Sequence, residues 1–387
     1  MRHLTALLAA ALLLAACGAP ATQRPTAPPI TTPAAGSVPA DATPLPAEAT
    51  TAPAADSSGA PRPRLVVMTH DSFSISEEVL AAFQQATAAE VQLLKAGDTG
   101  GVVNQAILSK DAPLADVIFG VDNTFLSRAL QADILIPYES PALAGIPAEL
   151  RIDPSNRLLP VDVGYVAINY DREGLQAAGR TPPTSLEDLA RPEWRGQLVV
   201  QNPASSSPGL AFLLATIAHF GEGEGYDWRD FWADLRSNEV YVSPDWSDAY
   251  YTQFSGSSGE GPYPLVVSYT TSPAAEVFFS EGGLAEPPTG NLLVPGGVFR
   301  QVEFVGILKG TQNEALARQF VDFMLQPEFQ ADVPLQMFVY PARPDTPLPE
   351  VFTQFAQVPA QPAGLTPEQI EAGRERWIEE WTEIVLR

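Results

Sequence analysis

From residue 64 onward the chain alternates short, wholly apolar runs with longer stretches whose apolar residues recur every three or four positions. Leu65-Val66-Val67-Met68 is apolar and stops at Thr69-His70-Asp71-Ser72, which predicts a buried strand running into a loop. Val79, Leu80 and Phe83 share one face of a predicted helix, with Ser76 as its N-cap and acids behind it. Val91–Leu94 reads as a second strand and Gly101–Ser109 as a second helix. Ala115–Gly120 is a third strand, ending at Val121-Asp122-Asn123, and Phe125–Ala132 a third helix. Such alternation predicts an α/β fold with a parallel sheet covered by helices on both faces. Ligands of such sheets collect at the carboxyl ends of the strands. The His70-Asp71-Ser72 and Asp122-Asn123 loops both fall there.

Further along, Ser185 can cap a short helix that Pro192 ends, with Asp188 reaching back in a capping box before the strand Gln197–Gln201. Asn313–Gln330 reads as one helix carrying Leu316, Phe320, Phe323 and Met324 on a face and closed by Pro327. Ser205, Ser206 and Ser207 stand just ahead of the predicted helix Leu210–His219, with Pro208 suited to its first turn. Free N–H groups and the helix dipole make that end either an anion or hydroxyl site or an ordinary serine cap. Trp246 lies in the polar loop before Tyr250 and Tyr251, as a satellite of the core or as a stacking surface. Tyr269 and Thr270 follow the strand Leu265-Val266-Val267, so they again fall at a strand's end.

The first residues read differently. Leu4–Ala16 is too short an apolar run to span a bilayer but long enough for a signal-peptide core, and it ends in Leu14-Ala15-Ala16-Cys17-Gly18. This resembles the bacterial lipobox, whose cysteine is acylated after cleavage; the alternative is a plain secretory signal. Residues 1–17 are thus expected to be a lipoprotein leader. Residues 18–63, rich in Pro, Ala, Thr and Ser, are expected to be a disordered tether, because they offer too little apolar surface to offset ordering. No later stretch approaches about 18 uninterrupted apolar residues, so the remainder is expected outside the membrane, held to it by the lipid anchor only.

At 387 residues, two or three domains are expected from a prior of about 150 residues each. Forty-six acidic against 22 basic side chains leave a net charge of −24, which argues against a nucleic-acid partner. One cysteine excludes a disulfide framework and a thiolate metal cluster. Only His70 and His219 lie beyond the leader, and no Gly-x-Ser-x-Gly, His-Glu-x-x-His or Walker pattern occurs. An enzyme is therefore not expected, nor a cofactor.

The segments 183–196 and 313–330, with Val161–Tyr170 between them as a hinge strand, resemble the extracytoplasmic solute-binding proteins of ABC importers. That resemblance implies a two-lobed type II periplasmic binding fold, each lobe a mixed, mostly parallel sheet flanked by helices, with two chain crossings. Lobe I is expected from residues 64–163 and 272–387, lobe II from 164–271. Within that class, Asp71-Ser72-Phe73, Gly120-Val121-Asp122-Asn123, Ser206-Ser207-Pro208-Gly209, Trp246-Ser247-Asp248-Ala249-Tyr250 and Ser268-Tyr269-Thr270-Thr271-Ser272-Pro273-Ala274 resemble the thiamine-binding proteins of bacterial thiamine importers. The resemblance implies that Trp246 and Tyr269 flank the vitamin's rings and that Ser206 and its neighbours hold the hydroxyethyl tail or its phosphates, for delivery to a permease. Asp71 and Asp122 either complement the cation or cap helices. The family commonly has tyrosines where this chain has His70 and Ala275. A second expectation uses Tyr250, Tyr251 and His70 as ligands of ferric ion, for which hard phenolates are suited.

Overall fold

The computed structural model describes residues 62–258 and 260–387. The leader expected over 1–17 with Cys17, and all but the last two residues of the expected tether, lie outside them. Strands β1 (Arg64–Thr69), β2 (Glu90–Lys95), β3 (Val117–Asp122), β4 (Leu135–Ile136), β5 (Leu159–Asp171), β6 (Leu198–Gln201), β7 (Tyr241–Ser243), β8 (Leu265–Tyr269), β9 (Thr289–Leu292), β10 (Phe299–Leu308) and β11 (Tyr340–Pro341) join in one mixed sheet.

The main path runs β2-β1-β3-β10-β5-β8-β6-β7. Two parallel groups stand at its ends. β1 pairs in parallel with β2 and β3, as the first three apolar runs predict, and β6 pairs in parallel with β7 and β8. Between them β5 and β10 run antiparallel to their neighbours. β5 spans 13 residues, nearly all buried. Its first half faces β10, while Val166–Tyr170 faces β8 and Ile168–Asp171 faces β9. One continuous apolar strand therefore carries the chain from one parallel group to the other, where the Val161–Tyr170 hinge strand is expected.

Helix starts follow local chemistry. The Ser76 hydroxyl accepts from Val79 N at the head of helix Glu77–Thr87, and Ser185 with Asp188 forms the expected capping box on Leu186–Leu189. The single helix expected over 313–330 is instead two, Glu314–Met324 and Pro327–Gln336. Pro327 has no N–H to continue the first helix, and its fixed φ suits the first position of the next, so it opens a helix rather than closing one.

The last helix, Pro367–Val385, ties distant parts together. Its buried Trp381 meets Trp232 of helix Trp228–Ser237 edge to face at 5.5 Å, and Arg229 Nε donates to Glu380 at 2.6 Å. One turn before Trp377, buried Arg374 donates to the Thr124 carbonyl at 3.0 Å and lies 4.4 Å over the Phe125 ring, just past β3. Among the described residues no helix is long and apolar enough to cross a membrane. Because Trp381 is fully buried, Trp381→Ala leaves a cavity as well as lost transfer energy. A loss of about 3–5 kcal/mol is expected, read as a lower urea midpoint by circular dichroism; an unchanged midpoint would show that the last helix does not contribute to the cooperative core.

Candidate functional site

Strand ends and the helices that follow them enclose a cleft of about 650 Å³. β1 stops at Thr69, and the next residues turn into the cleft: His70, Asp71 and Ser72 all line it. Asp71 Oδ1 accepts from Gly97 N at 3.0 Å and its carbonyl accepts from Lys95 Nζ at 2.7 Å, which fixes this loop to the end of β2. The His70 ring packs on Phe119 at 5.6 Å. It also comes so close to Gly120 that a Cβ there would sit 2.3 Å from its Cδ2. Gly120, at φ +93°, has no Cβ to block that approach.

Gly120 is also the extra residue of a bulge. The β10 register steps from Phe304 opposite Val121 to Val305 opposite Phe119, and on its other edge from Glu303 opposite Asp162 to Phe304 opposite Pro160. Bulges re-aim side chains next to sites. Here they leave Glu303 directly opposite both Asp122 and Asp162, so three carboxyls form a rung across β3, β10 and β5. Glu303 reaches the cleft, and Asp122 and Asp162 are wholly buried beneath it.

The three acids differ in their partners. Asp122 accepts from Thr124 N (3.1 Å), Thr124 Oγ1 (2.7 Å), Phe125 N (3.2 Å) and the Ser207 hydroxyl. Burial nevertheless pushes it up to about 6, against the pull of the Ser207 and Thr124 hydroxyls. Asp162 meets Glu303, and burial, with the charge of Glu303, the hydrogen bond to it and the charge of Asp122, pushes Asp162 well above the carboxylate range. His70 Nε2 lies 3.5 Å from Glu303 Oε1. Burial disfavours the imidazolium, but the Glu303 carboxylate and Asp98 outweigh it and hold His70 above its ordinary value.

The three serines divide. Ser207 lines the cleft, donates to Asp122 and accepts from Gln301 Nε2 at 2.9 Å. Ser206 is the buried N-cap of helix Ser207–Phe220 and makes no side-chain capping bond. Ser205 donates to the Pro244 carbonyl at 2.9 Å and takes Gly100 N on its own carbonyl at 2.9 Å. Asn123 holds β10 instead of facing the cleft, donating to the Arg300 carbonyl at 3.1 Å and accepting from Val302 N at 2.9 Å. Thr270 is buried, with its N–H on the Tyr165 carbonyl at 2.9 Å.

The aromatic wall rests on a π-helical turn, Asp248–Gln253, of the kind that often marks functional sites. It places Tyr250 under Trp246, stacked at 5.1 Å and 13°, while Tyr269 stands 6.2 Å away at 66°. The Trp246 indole N–H donates to Ser268 Oγ at 3.0 Å, which sets the ring's rotation. The Tyr250 hydroxyl donates to Glu276, and burial together with that acid pushes the phenol well above its ordinary range. Tyr251 crosses Tyr250 edge to face and is exposed. Trp246, Tyr250, Tyr251 and Tyr269 all line the cleft.

Several lining residues were not anticipated from the sequence. Asp98 caps helix Thr99–Leu108 and accepts from Trp246 N at 3.4 Å, with burial pushing it up. Glu276, pushed up to about 7 by burial, lies one residue past Ala275. Phe338, in the left-handed region at φ +53°, meets Phe279 at 5.1 Å and stacks on Phe352 at 6.0 Å. Gln301 and Glu303 did leave a signal: two polar side chains at i and i+2 in a mostly apolar strand share one face.

Asp71, Asp98, Asp245, Glu276 and Glu303 line the cleft, and among its described lining residues there is no lysine or arginine. Stacked aromatic faces beside several acids suit a flat, positively charged molecule. Among the described residues no cluster of His, Cys, Asp and Glu could hold a metal ion.

Known proteins share this plan. The chain is 31% identical over 340 residues to the thiamine-binding periplasmic protein of Salmonella typhimurium, covering 84% of this chain and 94% of that one. The corresponding protein of Brucella melitensis is 28% identical over 331 residues, with coverage of 84% and 92%. Among solved structures, a periplasmic thiamin binding protein superposes with a TM-score of 0.73 at 28% identity, over 84% of this chain and 97% of that one. Iron-bound HitA from Pseudomonas aeruginosa, at 20% identity and a TM-score of 0.66 over 83% and 99%, shares the fold. The architecture is the two-lobed type II periplasmic binding fold. Residues 112–362 match the bacterial extracellular solute-binding proteins, and this chain belongs to that family.

Proposed function

We propose that the protein is the substrate-binding component of an ABC importer and captures thiamine, free or phosphorylated, in this cleft for delivery to a permease. The observation that carries the reading is Trp246, backed by Tyr250 and fixed by Ser268, facing a cleft whose charged lining is acidic. Thiamine is a flat cation, and a desolvated cation–π contact is worth about 2 kcal/mol. The names of the relatives support the same ligand. Ser207, with Asp122 and Gln301 behind it, is the serine best placed to meet the ligand's tail.

Ferric ion fits this cleft less well. Tyr250 would have to give up its hydrogen bond to Glu276 and ionise while buried, which both burial and the neighbouring acid oppose. Capture without chemistry accords with the cleft, so we read the chain as a binding protein and not an enzyme.

We read the lobes as 64–163 with the C-terminal part, and 164 onward. The return crossing is drawn between β9 and β10, later than residue 272, because β9 pairs with the second half of β5. Closure of the lobes around the ligand follows from its preference for the closed form. The leader and Cys17 suit an extracytoplasmic protein held at the membrane by acyl chains, each buried methylene adding about 0.8 kcal/mol.

Two measurements test this. Calorimetry should show heat of binding with thiamine and none with ferric ion, and thiamine should quench tryptophan emission. Trp246→Ala should weaken binding by about 1–2 kcal/mol and Trp246→Phe should remove most of the quench; unaltered affinity in the Ala variant would overturn the assignment. Cys17→Ala should move the protein from the membrane fraction to the soluble one with ligand affinity unchanged, and retention at the membrane would rule out the lipid anchor.

A further inference from the structure

Glu303 is the one member of the carboxyl rung that lines the cleft, and the group it faces is the ring of His70, 3.5 Å away and lining the same cleft. At 3.5 Å the pairing of His70 Nε2 with Glu303 Oε1 is long, which leaves room for a competitor. We propose that Glu303 is the anionic contact of the bound ligand, and that the ligand's positive charge takes the place of the His70 proton, which leaves Nε2 for solvent. One cation enters, one proton departs, and the net charge of the buried site is unchanged. The inference rests on the ligand being an organic cation.

The surroundings explain why the proton comes from His70 and not from the rung. Asp162 is fully buried and does not line the cleft, and burial together with the neighbouring acids favours its neutral form. Asp122 is already held by two hydroxyls and two backbone N–H groups. His70 is different: its charge depends on Glu303 and on Asp98 at the start of helix Thr99–Leu108, while Lys95 at the end of β2 opposes it. Asp71 follows it in the chain, Phe119 beneath it carries no charge, and Tyr269 and Gln301 face the same pocket without supplying a cation. A second positive group brought against Glu303 in a low-dielectric site repels the imidazolium, and the group able to discharge is the imidazole.

The sign follows from linkage. Where His70 is protonated in the empty protein, binding must expel a proton, and affinity falls by up to about tenfold for each unit the pH drops. Where it is already neutral, affinity is flat.

The test is thiamine calorimetry on the full chain at pH 6, in phosphate and in bis-tris, whose ionisation heats differ, and again at pH 8.5. The expected release is about one proton per ligand at pH 6, falling to none at pH 8.5. His70→Gln should release none at either pH and should lose the pH dependence of Kd, while Asp162→Asn should release as the wild type does. Binding with no proton release at pH 6 in the wild type overturns the inference alone, whatever the folding of the variants. So does release that survives in His70→Gln or disappears in Asp162→Asn, which would place the proton on the rung. Absence of thiamine binding at pH 8.5 would instead overturn the ligand assignment, and this inference with it.

Discussion

The pairing of β10 with β3 on one edge and β5 on the other puts Glu303 between Asp122 and Asp162 in a layer from which water is excluded. Like charges directly opposite one another destabilise a sheet, and an isolated buried carboxylate neutralises itself by taking a proton. Each member of the rung meets that constraint in a different way. Asp122 gathers hydroxyls and N–H groups, Asp162 is pushed toward its neutral form by burial and its neighbours, and Glu303 meets His70 in the cleft. The acidity of the site is therefore a consequence of strand register, maintained by the two bulges beside Glu303. A one-residue slip of β10 would turn Glu303 to the opposite face and leave the cleft without its counter-charge.

The aromatic wall depends on a second departure from regular structure. Residues four apart on a helix share a face, which sets Tyr250 beneath Trp246, and within the wider π-helical turn over 248–253 Tyr251 crosses Tyr250 at a right angle. The Tyr250 hydroxyl ends on Glu276, from the helix after β8, and the Trp246 indole on Ser268, in β8 itself. The ring surface is thus fastened at one end to the strand that also supplies Tyr269 and at the other to the helix that follows it.

Much of this was legible in the sequence where local chemistry decides the outcome. Apolar runs gave the strands, Ser76 and Ser185 gave helix starts, strand ends gave His70, Asp71, Ser72 and Tyr269 as cleft residues, and Trp246, which its polar loop left open between core and stacking surface, lines the same cleft. What local chemistry could not reveal depends on register. Asp122 and Asn123 both stand at a strand's end, yet one supports Ser207 from below and the other clamps β10 through the Val302 amide. Ser205, Ser206 and Ser207 are consecutive and chemically alike, and only their rotation at the helix start decides that Ser207 faces the cleft. Phe338 was invisible because nothing in Gln336-Met337-Phe338-Val339 announces a left-handed backbone.

The same strands that carry the rung also join the two parallel groups. β5 brings Asp162 to the rung with its first half and pairs with β8, the strand of Ser268 and Tyr269, with its second. Gly164 lies between these halves, and a Cβ there would come 2.9 Å from the Tyr269 ring, so the absence of a side chain lets the tyrosine lie close over the crossing strand. Charge from one group and aromatic surface from the other meet over a single strand. A ligand that touches both therefore lies over the one strand that joins the two groups.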